Sequence, residues 1–244
     1  MYDIFFISYE ESNANDNWEK LKARIPHARR VHGIKGIHAA HSYCADQSYT
    51  RMFWTIDGDT VVDDDFNFDY PVMPWDMQYL HLWYSRNPVN NLAYGYGAVK
   101  LWPRSAAASS KKNWLDFTTS VGKIKIVDQV VATTCYNSDS YNAWKSGFRE
   151  ATKLCFNVAN GDNTESLDRL HTWLNTATDV PFAHDTITGA RDAVDYFCNH
   201  PTELYVINDF EWLRARYDTT ASIITEINKI DRHEVAGRIK LTHV

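Results

Sequence analysis

Apolar runs and polar breaks alternate regularly through the first sixty residues. Asp3 to Ser8 is a short apolar run ending in polar residues, the pattern of a buried parallel strand that feeds a site. Asn15 or Asp16 caps a helix carrying Trp18, Leu21 and Lys22 as far as Ile25, where Pro26 stops it. Arg30 to Gly33 reads as a second strand, Ile37 to Ser48 as a helix, and Arg51 to Ile56 as a third strand running into Asp57-Gly58-Asp59. Strands and helices in alternation, with polar residues at the strand ends, predict an open α/β sheet. Ligands of such sheets meet the carboxyl ends of the strands.

The pattern then changes. Tyr79 to Trp83, Ala98 to Trp102 and Lys123 to Val127 are rich in strand formers, so the middle is expected to extend the sheet. The last third turns helical over Tyr141 to Ala159, Glu165 to Leu174 and Asp185 to Phe197, with Asp185 as a natural N-cap. A strand is predicted at Leu204 to Ile207, and Asn208-Asp209 caps a short helix through Trp212 and Arg216. Residues 221–244, with Lys229, Arg232, Arg238 and Lys240, follow no period and receive no element.

Composition narrows the class. Hydrophobic residues make up 44% and charged residues 23% of 244, which excludes a disordered or fibrous chain. Twenty-five Lys and Arg against 31 Asp and Glu leave a net charge of −6. That excludes coating nucleic acid through global charge, but permits one local basic groove. Aromatic residues reach 14%, which matters because flat rings stack on sugars and bases as readily as they fill cores. Cys44, Cys135, Cys155 and Cys198 are widely spaced, as in a reducing compartment, and fit neither a thiolate zinc site nor a disulfide framework. The short run Ile4 to Ile7 is neither a signal peptide nor a membrane span, so a soluble cytoplasmic protein without membrane contact is expected.

Several constellations carry chemistry. Two carboxylates one residue apart, Asp57 and Asp59, can approach one hard cation, Mg²⁺ or Mn²⁺, which a diphosphate then bridges. Gly58 lets the backbone come close, although Asp-Gly is also a common plain turn. Lys35, between Gly33 and Gly36 and ahead of a helix, suits a phosphate or a base edge. Tyr94-Gly95-Tyr96-Gly97 sets two rings between glycines, for stacking on a sugar or base, or as hairpin chemistry. On the predicted helix around Trp144, Lys145 and Arg149 share a face and can stabilise a leaving diphosphate, while Glu150 can act as general base. The same spacing also serves a salt-bridged surface helix. His32, His38 and His41 lack a further ligand for zinc, and Asp63-Asp64-Asp65 reads as a solvated turn.

With these residues in place, the chain resembles nucleotide-sugar glycosyltransferases of the GT-A fold. The resemblance is carried by Phe53-Trp54, Ile56 and Asp57-Gly58-Asp59. It extends through Ile7 to Glu10, Arg30 to His38, Asn87 to Asn90, Tyr94 to Lys100, Trp144 to Glu150 and Ile207 to Leu213, segments that look like small glycosyltransferases of tailed bacteriophages and cyanophages. It covers about residue 4 to residue 213.

The resemblance implies a single glycosyltransferase domain over 1–244, with a GT-A-like open mixed sheet, flanking helices, a strand-rich middle and a helical C-terminal third. Within it, 1–78 would be the nucleotide-binding half, 79–220 the acceptor and donor-sugar half, and 221–244 a C-terminal extension. It implies that Ser8, Tyr9 and Glu10 hold the nucleotide base and ribose, that Asp57 and Asp59 hold the metal on the donor diphosphate, and that a late histidine, here His184, is a third metal ligand. Glu150 is the base if the enzyme inverts configuration, and has another role if it retains. The donor is expected to be a UDP-sugar. The favoured acceptor is 5-hydroxymethylcytosine in phage DNA, within the host cytoplasm. A glycan or small-molecule acceptor, or a non-catalytic sugar- or nucleotide-binding module, remains the alternative. A DNA acceptor needs a basic track, which Lys20, Lys22, Arg24, His27, Arg29, Arg30, His32 and Lys35, or Lys111, Lys112, Lys123 and Lys125, can supply.

Overall fold

The apolar run at the N-terminus becomes an inner strand. The computed structural model describes residues 1–95, 97–108, 115–162, 164–220 and 229–241. The first compact unit comprises 1–88 and 92–135. In chain order it contains β1 (Asp3–Ser8), α1 (Ala14–Arg24), β2 (Arg29–His32), α2 (Ile37–Gln47), β3 (Met52–Asp57), β4 (Thr60–Val62), β5 (Leu80–Arg86), β6 (Ala93–Tyr94), β7 (Val99–Pro103), α3 (Arg104–Ala108) and β8 (Ile124–Thr134). The sheet order is β2-β1-β3-β7-β5-β8-β4, with β6 paired to β5. β1 is parallel to β2 and β3, β7 is antiparallel to β3 and β5, and β8 is parallel to β5 but antiparallel to β4.

Alternation along β3 builds a core on each face of this sheet. Met52, Trp54 and Ile56 join Trp83, Phe66 and Phe68, with the Trp54 and Trp83 rings 4.7 Å apart. Phe53, on the other face, packs with Phe5, Trp102 and Phe117. Asp3 fixes the start of β1 against the entry to β3. Its Oδ2 accepts the N–H groups of Tyr49 and Thr50 at 2.7 and 3.1 Å, and its Oδ1 accepts Arg29 at 3.0 Å.

The second compact unit comprises 89–91 and 136–244. It holds α4 (Ser140–Ala159), α5 (Glu165–Asn175), α6 (Ala183–Asn199), α7 (Phe210–Thr220) and α8 (Arg232–Leu241). α4 and α6 touch backbone to backbone. A Cβ on Gly147 would land on the Thr186 carbonyl oxygen, and one on Gly189 on that of Trp144, so glycine is required at both. Asp139 caps α4, accepting the Asn142 N–H at 2.7 Å.

The α/β class, the mixed sheet with flanking helices, the strand-rich middle and the helical last third are as the pattern predicts. One sheet spans both sides of 78/79, since β5, β7 and β8 join the sheet of β1 to β3, and the two compact units part at 135/136. Two expectations change. Leu204–Asn208 is a 3₁₀ helix rather than a strand, burying Leu204 and Ile207 three residues apart. Residues 229–241 are not a separate extension: Val235 and Ile239 are buried, Asn175 bonds Ile230 through both its amide groups, and Arg232 pairs with Asp168 at 2.8 Å.

Each unit buries a cysteine, Cys44 in the first and Cys155 in the second, and burial raises both thiol pKa values, that of Cys44 to about 12. Among the described residues, no helix is long and apolar enough to cross a membrane.

Candidate functional site

β1 and β3 run side by side, so their carboxyl ends bring Ser8 and Asp57 to one end of the sheet. Asp57-Gly58-Asp59 then folds directly onto the end of β1. A Cβ on Gly58 would lie 2.9 Å from both the Glu11 carboxylate and the Ser8 Cβ, so this approach is open to glycine alone. Asn17 of α1 donates to the Gly58 carbonyl at 3.0 Å, and the Asp59 carbonyl accepts the Cys135 N–H at 2.7 Å. The turn is thereby fixed from α1, β1 and the end of β8.

Ser8 is buried, and its hydroxyl accepts from Arg30 at 3.0 Å and meets His32 Nδ1 at 3.0 Å. It ties the end of β1 to β2. Tyr9 is half-buried, and its N–H donates to Glu11 Oε2 at 2.7 Å. Glu10 is exposed, so the acidic side chain that meets the turn is Glu11. Lys35 is exposed in a loop where Gly33 and Gly36 both take positive φ, ahead of α2. Tyr94 is buried in β6 opposite Ser85, and Tyr96 lies outside the described residues.

Lys100 was not foreseen as part of this site. Its ammonium stands 3.0 and 3.1 Å from the two Asp57 carboxylate oxygens. The Lys100 side chain is 2% exposed and that of Asp57 37%. Both Asp57 oxygens thus already face a cation of the protein, and a divalent ion brought to the same oxygens would meet its repulsion. His184, the third ligand expected, is exposed in the first turn of α6 in the second unit.

Glu150, Lys145 and Arg149 also belong to the second unit. The Glu150 side chain is 9% exposed, with Oε1 2.8 Å from Arg169 of α5 and Oε2 2.6 Å from Lys153. Both oxygens are committed to cations, which suits a bridge between α4 and α5 better than a general base. Arg149 donates to the Ile207 carbonyl at 2.8 Å, and Lys145 donates to Asn142 Oδ1 at 2.6 Å; both stand over the Phe210 ring. Asp185 lies inside the first turn of α6 rather than at its cap, and burial raises its carboxyl pKa.

Most of the residues of the expected basic track are engaged with other groups of the chain. Lys22 donates to the Pro26 and Ala28 carbonyls, and Arg24 to those of Val62 and Asp63. Arg29 is held by Asp3, and Arg30 by Ser8 and Asn15. Lys125 pairs with Asp76 at 2.6 Å and Lys123 with Gln78 at 3.0 Å, while Lys111 and Lys112 lie outside the described residues. His41, one of the three neighbouring histidines, is fully buried 4.9 Å from the Trp102 ring and 4.8 Å from that of Phe117.

Compared with known proteins, the chain matches no family model and no curated protein.

Proposed function

We propose that the chain is a nucleotide-sugar-dependent glycosyltransferase, with a UDP-sugar as donor and the hydroxyl of 5-hydroxymethylcytosine in phage DNA as acceptor. The observation that carries this reading is the Asp57-Gly58-Asp59 turn seated on the end of β1, where ligands of open α/β sheets bind. The resemblance to GT-A enzymes adds the reaction class. Tyr9 offers a ring beside the strand end for the base, and Lys35 at the start of α2 offers a cation to a phosphate. In the reaction the bond from the sugar's anomeric carbon to the diphosphate breaks, and a bond from that carbon to the acceptor oxygen forms. The hydroxyl proton passes to a base, and the diphosphate leaves with the bonding pair.

The pairing of Glu150 with Arg169 and Lys153 favours a second reading, a non-catalytic nucleotide- or sugar-binding module. One assay separates them: labelled UDP-, GDP- and ADP-sugars with hydroxymethylated DNA, plain DNA and simple glycans. Label is expected in hydroxymethylated DNA, and Asp59→Ala is expected to lower its incorporation by about a hundredfold or more. Donor binding without transfer to any acceptor would establish the module. Transfer only to glycans would move the acceptor.

A further inference from the structure

Lys100 is a buried charge that the reaction above leaves without a task. It interrupts an apolar strand, β7, whose other residues are all buried. The cation lies inside and its partner Asp57 at the rim. Gly97, at φ +81, turns the chain just ahead of β7, and a Cβ there would come 3.7 Å from the Lys100 ammonium. An ammonium at this depth is held by its partner, because removing it from water is costly unless the charge is matched. Asp57 is pinned in turn, with its charge compensated from beneath.

A diphosphate reaching this end of the sheet must come close to a turn that carries Asp57 and Asp59, with the Glu11 carboxylate packed against it. Carboxylates alone would repel it, and sites of that kind recruit a divalent cation. Here Lys100 already matches the charge of Asp57.

We propose that Lys100 is the resident countercharge of the diphosphate site, a positioning residue that acts through Asp57 and lowers the site's demand for Mg²⁺ or Mn²⁺. This rests on the nucleotide-sugar reading.

The test is calorimetric binding to the full chain of Mn²⁺ alone, of UDP with chelator, and of UDP with Mn²⁺. It compares the wild type with Lys100→Met and Asp57→Asn. Lys100→Met is expected to bind Mn²⁺ alone about tenfold tighter, because Asp57 is released, and UDP with chelator about tenfold weaker. General damage to the fold cannot move the two in opposite directions. Asp57→Asn keeps an acceptor oxygen for Lys100 but deletes the negative charge, and is expected to bind UDP with chelator tighter than the wild type. If Lys100→Met does not fold, this arm decides alone.

Mn²⁺ and UDP affinities that Lys100→Met leaves unchanged overturn the role of Lys100. So does UDP binding that requires Mn²⁺ in every variant, or an Asp57→Asn variant that binds UDP with chelator no tighter than the wild type. If UDP, GDP and ADP all fail to bind with or without Mn²⁺, the nucleotide-sugar reading itself falls, and Lys100 loses its task with it.

Discussion

His41 is a titratable ring kept neutral by its surroundings. Burial pushes its pKa down to about 3, and the Lys100 charge pushes the same way. Its Nδ1 lies 2.8 Å from the Ile37 carbonyl, so it carries the proton there. Below the ordinary histidine pKa the unfolded chain takes up a proton that the native ring refuses. Stability therefore falls as pH drops from about 6.5 towards 3, by about 2 kcal/mol at pH 5. His41→Phe is expected to remove that share of the acid sensitivity, read as a smaller fall in urea midpoint between pH 7 and pH 5. Equal falls in the two proteins would refute it.

At the same scale, Asp57, Gly58 and Asp59 were legible in the sequence because the turn follows an apolar strand. Lys100 left a weaker signal: a charge inside an apolar strand needs a partner, but nothing in a linear pattern names Asp57 as that partner. Glu10 and Glu11 are adjacent, and only the turn after β1 decides that Glu11 faces Gly58.

Between elements, Glu150 joins α4 to α5 through Arg169, and its pairing with Lys153 stays within α4. Glu150→Gln removes the anion that Arg169 and Lys153 share, although Arg169 also lies 3.6 Å from Glu165. It is expected to cost about 1–3 kcal/mol in stability, while turnover per folded molecule stays within a few-fold. A loss of about a hundredfold in turnover at unchanged melting temperature would restore Glu150 as the general base. The helices were readable because their apolar period and their stops, such as Pro26, are local. Strand neighbours were not, since β3 pairs with β7 some fifty residues on and no period encodes that. Leu204 to Ile207 failed for a related reason: four mostly apolar residues fit a buried strand and a 3₁₀ turn equally well, and packing decides.

At the scale of the whole molecule, the two units carry separate reporters. Gly189→Ala forces a methyl onto the Trp144 carbonyl and is expected to destabilise the helical unit by about 3 kcal/mol or more. Thiol alkylation under native conditions is then expected to speed up at Cys155 and to stay slow at Cys44. Equal acceleration at both would mean that the units open together. The sheet order has a consequence of a different kind, for solubility. Its outer strands are short, β2 with four residues and β4 with three, and β2 carries Arg29 and Arg30. β4 covers β8 only from Ala132 to Thr134, and the rest of β8 carries Lys125, Asp128 and a break in register near Val127 to Val130. Short length, charge and a bulge are the devices that stop one sheet from adding to another. The sheet that presents Asp57 at its end is therefore poorly suited to growing sideways into aggregates.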